Sequence, residues 1–460
     1  MHNGLTITRA RDDQGVVITK RLACDTLTPV GAYLSLVGER PGFLLESLPG
    51  TFSFLGRFAN DSLIRLDGDA PDPWSRLPRH SLEFNQGDLP PFIGGYIGYI
   101  GYDMVRGIER LPRPAKSSGF PDALLGRVDT FLVFDHRGQE IALLHTIPEP
   151  GVSDEEALIR SRAEFSVVED GLYSRAARPP DIPSACTVQD VSISEQGFMD
   201  AVLKAKAYIL DGEIIQTVLS RRLTLDTHCD TFDTFRRLRR INPSPYMFYI
   251  KLDDVTLIGS SPEVMVKVKG SSITTLPIAG TRPRGATPQA DKDLAHELLA
   301  DEKERAEHLM LLDLARNDVG RVALPGTVQV AYRDKVKFYS HVMHIVSCVK
   351  GVRPPDVHAV DVLKFCFPAG TVSGAPKVRA MEIIDELEGQ CRGPYAGAVG
   401  YFSYNGNMDT GIGIRTIFVK GRTYHVQAGA GIVWDSVPAS ELKEIDNKLR
   451  ALSTALGGIV

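Results

Sequence analysis

Four glutamates stand at a spacing that chemistry can use. Glu304 and Glu307 lie three apart in one helical stretch, and Glu441 and Glu444 lie three apart in another. Residues i and i+3 of a helix share a face, so each pair projects two carboxylates together. Donors made only of oxygen suit a hard cation such as Mg2+. The plain alternative is a solvated helix face: Glu444 and Lys448 are i, i+4 partners, and acidic residues are welcome in a first helical turn. From Asp301 to His308 the apolar stripe disappears, while Leu298, Leu299, Leu309 and Leu312 flank it. That pattern fits a helix crossing a polar cavity as well as one bowed towards water.

A second constellation is glycine-rich. In Gly411-Ile-Gly-Ile-Arg415, period-two alternation puts Gly411, Gly413 and Arg415 on one strand face. An arginine beside two missing side chains can take a planar carboxylate in bidentate fashion, worth about 1.5–3 kcal/mol as a charged hydrogen bond. Downstream, Gly429-Ala430-Gly431 can bring backbone N–H groups near a second anionic group. An edge-strand arginine and a bulge would read the same way. Gly389-Gln-Cys391-Arg-Gly393 has the shape of a nucleophile elbow, but an elbow needs a strand before and a helix after. Here the helix comes first and strands follow, so Cys391 is not expected to be catalytic.

The elements that must position these groups read as α+β. Helices are expected over about 194–211, 290–315, 376–387 (capped by Ser373) and 440–456. Strands are expected near 42–47 and 51–56 as a hairpin, then 216–223, 247–251, 257–258, 265–268, 398–404, 410–419 and 423–427, with a tight turn at Asn405-Gly406. Runs of strands, then helices, then strands favour large antiparallel sheets flanked by helices over a doubly wound sheet. Pro179, Pro180 and Pro183 lie in a polar stretch that reads as a linker. This divides the chain into residues 1–172, a linker over 173–194, and 195–460, two domains around an active-site cleft.

Composition sets limits on function. The 460 residues carry 52 Lys and Arg against 57 Asp and Glu, a formal charge of −5. That argues against a general nucleic-acid binder. No apolar run reaches the roughly 20 residues of a membrane span. Met1 to Ala10 lack the apolar core of a secretion signal, so a cytoplasmic location is expected. The six cysteines are scattered with no C-x-x-C pair, which predicts reduced thiols and no zinc site.

Read in order, the motifs resemble the chorismate-utilising enzymes, and within them the component I chains of anthranilate synthases. The resembling segments include Leu44-Leu-Glu-Ser47, Gly212 to Arg222, Asn242 to Met247, Ser261-Pro-Glu263 and Pro277 to Gly285. They continue through Glu304 to Asp318, His341-Val-Met-His344, Phe367 to Lys377, Tyr395 to Tyr401 and Gln427 to Glu444. The likeness is near-continuous from about residue 195 to 452 and looser before residue 170.

The resemblance implies a Mg2+-dependent lyase that aminates chorismate at C2 and expels pyruvate to give anthranilate, in tryptophan biosynthesis. It implies Glu307 and Glu444 as direct Mg2+ ligands, with Glu304 and Glu441 holding metal-bound waters. Tyr395, Arg415, Gly429, Ala430 and Gly431 would contact one end of the substrate, and Gly280 and Thr281 its ring and hydroxyl. Glu263 would act as general acid and His344 would handle the C2 proton, with Thr281 beside them. Ser47, Pro245, Tyr246 and Met247 resemble a tryptophan feedback site between the domains. Ala279 stands where aminodeoxychorismate synthases often carry a nucleophilic lysine, and Gln216 where isochorismate synthases carry a lysine base; neither replacement can do that work. The remaining alternatives are an aminodeoxychorismate or aminodeoxyisochorismate synthase, and a metal-independent sensor that kept the fold. Ammonia is expected from a separate glutamine amidotransferase subunit (component II), making a hetero-oligomer.

Overall fold

The chain is seen as a computed structural model that describes residues 4–23, 26–47, 50–59, 62–68, 72–84, 89–172, 179–181, 183, 186–339 and 342–458. Hairpin-length strands build two large sheets. The first has thirteen strands. From edge to edge these are Leu5–Arg9, Val16–Leu22, Glu140–Ile147, Thr130–Asp135, Phe52–Arg57, Gly42–Glu46, Tyr246–Leu252, Val255–Ser261, Thr416–Lys420, Thr423–Ile432, Gln216–Asp226 and Thr187–Val191, with Gly374–Ala375 beside Gln216–Asp226. The second has ten: Ile278–Pro283, Val342–Val352, Ser272–Thr275, Val264–Lys269, Met408–Ile412, Ala398–Ser403, Gly95–Ile100, Ala123–Val128 and Leu63–Leu66, with Gln329–Phe338 also on Val342–Val352. The strand pairings are antiparallel. The fold is α+β with large antiparallel sheets.

One core lies between the sheets, where Phe54, Phe92, Phe131 and Tyr401 meet ring to ring. A second covers the outer face of the thirteen-stranded sheet, under helices Pro29–Leu36, Asp154–Leu172, Glu195–Leu210, Thr231–Ile241 and Pro438–Ala455. Helix Glu302–Gly320 packs instead on Ile278–Pro283 and Val342–Val352 of the other sheet. Among the described residues no helix is long and apolar enough to cross a membrane.

Both sheets take strands from either side of the 173–194 segment. Glu46 registers with Met247, and Ile100 with Ala398. The segment itself supplies the edge strand Thr187–Val191; residues 173–178, 182, 184 and 185 lie outside the described residues. The expected 42–47/51–56 hairpin forms, and so does the turn at Asn405-Gly406, with Gly406 at φ +76°.

Three expectations change. The helix expected over 290–315 is two, Pro288–Ala300 and Glu302–Gly320. Asp301 breaks it because its carboxylate accepts from Lys303 N–H and Glu304 N–H at 3.1 and 3.2 Å and caps the second helix. Ser373 does not cap the next helix; its hydroxyl donates back to Ala369 O at 2.9 Å, and helix Lys377–Glu388 starts after Pro376. The strand expected over 410–419 is also two, Met408–Ile412 and Thr416–Lys420, in different sheets. Arg415 therefore sits in the crossover at φ +50°, not on a continuous strand face with Gly411 and Gly413.

Candidate active site

Glu304 and Glu441 stand in the first turns of helices Glu302–Gly320 and Pro438–Ala455, and Glu307 and Glu444 follow one turn further along. Their fields overlap. The Glu307 carboxyl is pushed up by burial first, then by Glu304 on its own helix and Glu444 on the other. Glu441 is pushed up by burial and by Glu444, with a hydrogen bond to Ser436 opposing. Two cations offset this negative cluster. Lys303 Nζ reaches Asp435 at 3.0 Å across the helix pair. Lys448 Nζ donates to Glu444 Oε1 at 2.6 Å and to Gly429 O at 2.8 Å, tying the acidic helix to strand Thr423–Ile432. Among the described residues no three acidic, histidine or cysteine side chains are close enough to hold a metal ion.

Arg415 is half-buried, and no ion pair or side-chain hydrogen bond holds its guanidinium among the described residues. Burial lowers its affinity for the proton, while Tyr395 and Glu444 favour the cation. The Tyr395 hydroxyl lies 2.7 Å from where a Cβ on Gly429 would be. The side-chain nitrogen of Gln216 occupies the corresponding space at Gly431, and Gln216 Oε1 is buried with no hydrogen-bond partner among the described residues. Both glycines thus make room for these two side chains.

His344, on strand Val342–Val352, has its Nδ1 2.8 Å from Gly280 O and 3.1 Å from Thr281 Oγ1. A carbonyl can only accept, so Nδ1 carries the proton and Nε2 offers a lone pair. Burial holds the imidazole below its ordinary value, the Gly280 carbonyl opposes that, and Arg415 adds to it. Gly280 has φ +66°, and a Cβ there would meet Leu298 Cδ1 at 2.9 Å and Glu304 Oε2 at 3.1 Å. The irregular stretch of strand Ile278–Pro283 that carries Gly280 and Thr281 thus runs from His344 to the acidic helix.

Glu263 lies between strands Val255–Ser261 and Val264–Lys269 and is 9% exposed. Burial pushes its carboxyl up to about 8, offset in part by Thr371 and Lys448. Thr371 keeps its buried hydroxyl beside Glu263 without a hydrogen bond of normal geometry. At neutral pH the group is a carboxylic acid with a proton to give.

Ser47, Pro245, Tyr246 and Met247 come together elsewhere. All four line a cavity of about 690 Å3, and Tyr246 Oη donates to Asp409 at 2.7 Å within it. The pairing of Gly42–Glu46 with Tyr246–Leu252 brings the two segments side by side.

Cys391 is buried and its thiol is pushed up to about 12 by burial, which suits an inert residue. Lys448 and Thr371 were missed from sequence as site residues. Lys448 showed only as the i+4 partner of Glu444, and Thr371 gave no signal beyond its place inside the Phe367 to Lys377 segment.

Residues 40–454 match the family of chorismate binding enzymes, and the chain belongs to that family. Within it the chain is similar to anthranilate synthase component 1 of Thermus thermophilus, 44% identical over 461 residues that cover 95% of this chain and 97% of the relative. The solved anthranilate synthase component I of Streptococcus pneumoniae aligns at TM-score 0.76 and 38% identity, covering 93% of this chain and 97% of that one. A menaquinone-specific isochorismate synthase of Escherichia coli shares the fold at TM-score 0.73 and 20% identity, over 98% of this chain and 96% of that one.

Proposed function

We propose that the chain is an anthranilate synthase component I that aminates chorismate at C2 with ammonia and eliminates pyruvate. The observation that carries this is Arg415: a half-buried guanidinium without an ion pair among the described residues, in the field of Glu444, Tyr395 and His344. It fits one carboxylate of a dianion, with Tyr395 and the backbone at Gly429 to Gly431 beside it.

The other carboxylate calls for a cation. The donor set suits Mg2+: four carboxylates and no sulfur, with Glu307 destabilised by its acidic neighbours. Glu307 and Glu444 would hold the ion directly, and Glu304 and Glu441 its waters. When bound, Mg2+ neutralises the second carboxylate of the substrate.

Glu263 gives its proton to the departing C4 hydroxyl, which leaves as water while ammonia bonds to C2. His344 Nε2 then takes the C2 proton. The C3–O bond breaks, the enolpyruvyl group leaves as its enolate and takes up a proton at its methylene carbon to become pyruvate, the ammonium formed at C2 gives up one proton, and the ring becomes aromatic. The methyl of Ala279 forms no covalent adduct, and the amide of Gln216 activates no water, which leaves direct attack by ammonia.

Incubation with chorismate, Mg2+ and ammonium, read by product fluorescence and mass, tests the reading. Anthranilate and pyruvate in equal amounts are expected. Accumulation of an amino-enolpyruvyl compound, or no turnover, would overturn it. Ammonium alone should serve this chain, with glutamine effective only once a separate amidotransferase subunit is added. The 690 Å3 cavity is proposed to take tryptophan as feedback inhibitor, and calorimetry with tryptophan tests that part.

A further inference from the structure

The Gly389 to Gly393 segment has the outline of a nucleophile elbow, yet its cysteine is inert, and it is the neighbouring Arg392 that reaches towards the site. Gly389, at φ +64°, ends helix Lys377–Glu388. Gly393, at φ +62°, turns the chain again, and its N–H donates to Asp103 Oδ2 at 2.7 Å. Between these two turns Arg392 is carried inward, back against Glu388 at the end of the helix. Both side chains of this ion pair are buried, at 1% and 4% exposure. A charge so placed must be fully satisfied by its neighbours.

The guanidinium is held from three directions. Nε and Nη2 donate to the two oxygens of Glu388 at 3.0 and 2.6 Å. Nη1 donates to Val372 O at 2.7 Å, and Nη2 also donates to Val218 O at 2.6 Å. Glu388 is anchored in turn, accepting from the Ser220 N–H and the Ser220 hydroxyl at 2.8 Å each. A planar fork with this many directed bonds has one place to lie. The rings of Tyr102 and Tyr395 rest against it, with centroids 4.7 and 5.7 Å from Cζ. A cation over an aromatic face is attracted to it. Val218 and Ser220 register with Gly431 and Gly429 on the neighbouring strand. The group that grips strand Gln216–Asp226 therefore also backs the ring of Tyr395.

The far end of that ring is the part that needs placing. The Tyr395 hydroxyl lies against Gly429, and among the described residues no hydrogen bond fixes it. Its position is set by how the ring packs. We propose that Arg392 is a positioning residue for the reaction, holding the Tyr395 ring so that its hydroxyl meets the substrate beside Gly429 to Gly431. The proposal rests on the reading that Tyr395 contacts chorismate. Arg392 acts through Tyr395, because its own donors are turned to Glu388, Val218 and Val372. Its effect falls on substrate binding more than on turnover, since Tyr395 and Arg415 hold the carboxylate while Glu263 and His344 move the protons.

The test is a double-mutant cycle on the full chain, assayed with chorismate, Mg2+ and ammonium: Arg392→Lys, Tyr395→Phe and the two combined. Lysine keeps the charge beside Glu388 but lacks the planar fork that backs the ring. Tyr395→Phe keeps the ring and loses the hydroxyl. It should raise KM for chorismate about three- to tenfold, the worth of one hydrogen bond. Arg392→Lys should raise KM by a like factor, with kcat changing less. In the Tyr395→Phe background it should change KM by less than about twofold, because no hydroxyl is left to place. KM factors that multiply in the double variant overturn the proposal. A wild-type KM in Arg392→Lys overturns it too, even with a lower kcat, which marks a smaller folded fraction. An unchanged KM in Tyr395→Phe refutes the substrate contact of Tyr395 and the proposal with it, so this single variant tells the two failures apart. If Arg392→Lys does not fold, Arg392→Met combined with Glu388→Gln takes its place in the cycle with the same outcomes. That pair removes both buried charges together and leaves an oxygen to accept from Ser220.

Discussion

Glutamine at position 263 should make the protein more stable and less active, by amounts that depend on pH. The Glu263 carboxyl rises from 4.5 in the open chain to about 8 in the fold because burial penalises its charged form. A raised value means the fold holds a proton that the unfolded chain releases. The stability contribution is complete below pH 4.5 and is lost as pH rises through 8. At 1.36 kcal/mol per unit, the wild type gives up about 3 kcal/mol by pH 7 and about 5 kcal/mol by pH 9 from this group alone. Glutamine has the same volume and no charge to suppress, so it escapes this loss. Other groups titrate alike in both proteins and cancel in the difference. Urea unfolding of wild type and Glu263→Gln at pH 5, 7 and 9 should show the variant gaining about 4 kcal/mol relative to wild type between pH 5 and 9. Activity should fall by about 10²–10⁴, since an amide cannot protonate the leaving hydroxyl. A stability difference that stays flat across this range would refute the burial argument. Turnover within tenfold of wild type would refute the assigned role.

Other outcomes follow from the same geometry. Arg415→Ala should raise KM for chorismate about 10- to 150-fold, the equivalent of one charged hydrogen bond at about 1.5–3 kcal/mol. Because the guanidinium has no ion pair to lose among the described residues, melting temperature should not drop; a fall beyond 5 °C would show a structural role. The pH profile of kcat/KM should be a bell with its basic limb near 8, from Glu263. Its acid limb should lie below the ordinary histidine value, because burial lowers His344 and activity is lost only when its Nε2 is protonated. His344→Ala should abolish the acid limb, and an unchanged limb would assign it to another group. Cys391→Ser should keep activity within twofold, and a larger loss would reopen the nucleophile reading. Gly429→Ala should drive a methyl against the Tyr395 hydroxyl, 2.7 Å away, and cost about 1–3 kcal/mol in substrate binding; an unchanged KM would show that this wall does not touch the substrate.

What could be read from sequence was local. The i, i+3 spacing placed Glu304 with Glu307 and Glu441 with Glu444 on shared helix faces, and helices do span both pairs. The break at Asp301 was also legible in hindsight, since an aspartate three residues before Glu304 is a capping pattern. The crossover at Gly413 to Arg415 was not legible, because the alternation of Gly and Ile continues through the point where the chain changes sheet. Lys448 needed tertiary structure: its bond to Gly429 O exists only because the last helix packs on strand Thr423–Ile432. The split at 173–194 followed proline content, a local property, whereas membership of a sheet depends on pairings such as Glu46 with Met247, some two hundred residues apart.

The charges of the site are set against folding and in favour of a ligand. Arg415 is a half-buried cation with no ion pair among the described residues, Glu307 is an anion crowded by Glu304 and Glu444, and Glu263 holds a proton it would release in water. Each state raises the energy of the empty fold. On the proposed reading, a substrate carboxylate at Arg415 and a divalent cation held by the acidic pairs would relieve the first two strains. The third keeps a proton on Glu263 at neutral pH, where on the proposed reading it would be given to the leaving group. Substrate and cation binding would thus draw on the first two imbalances, while the third would hold the proton in place for the chemical step.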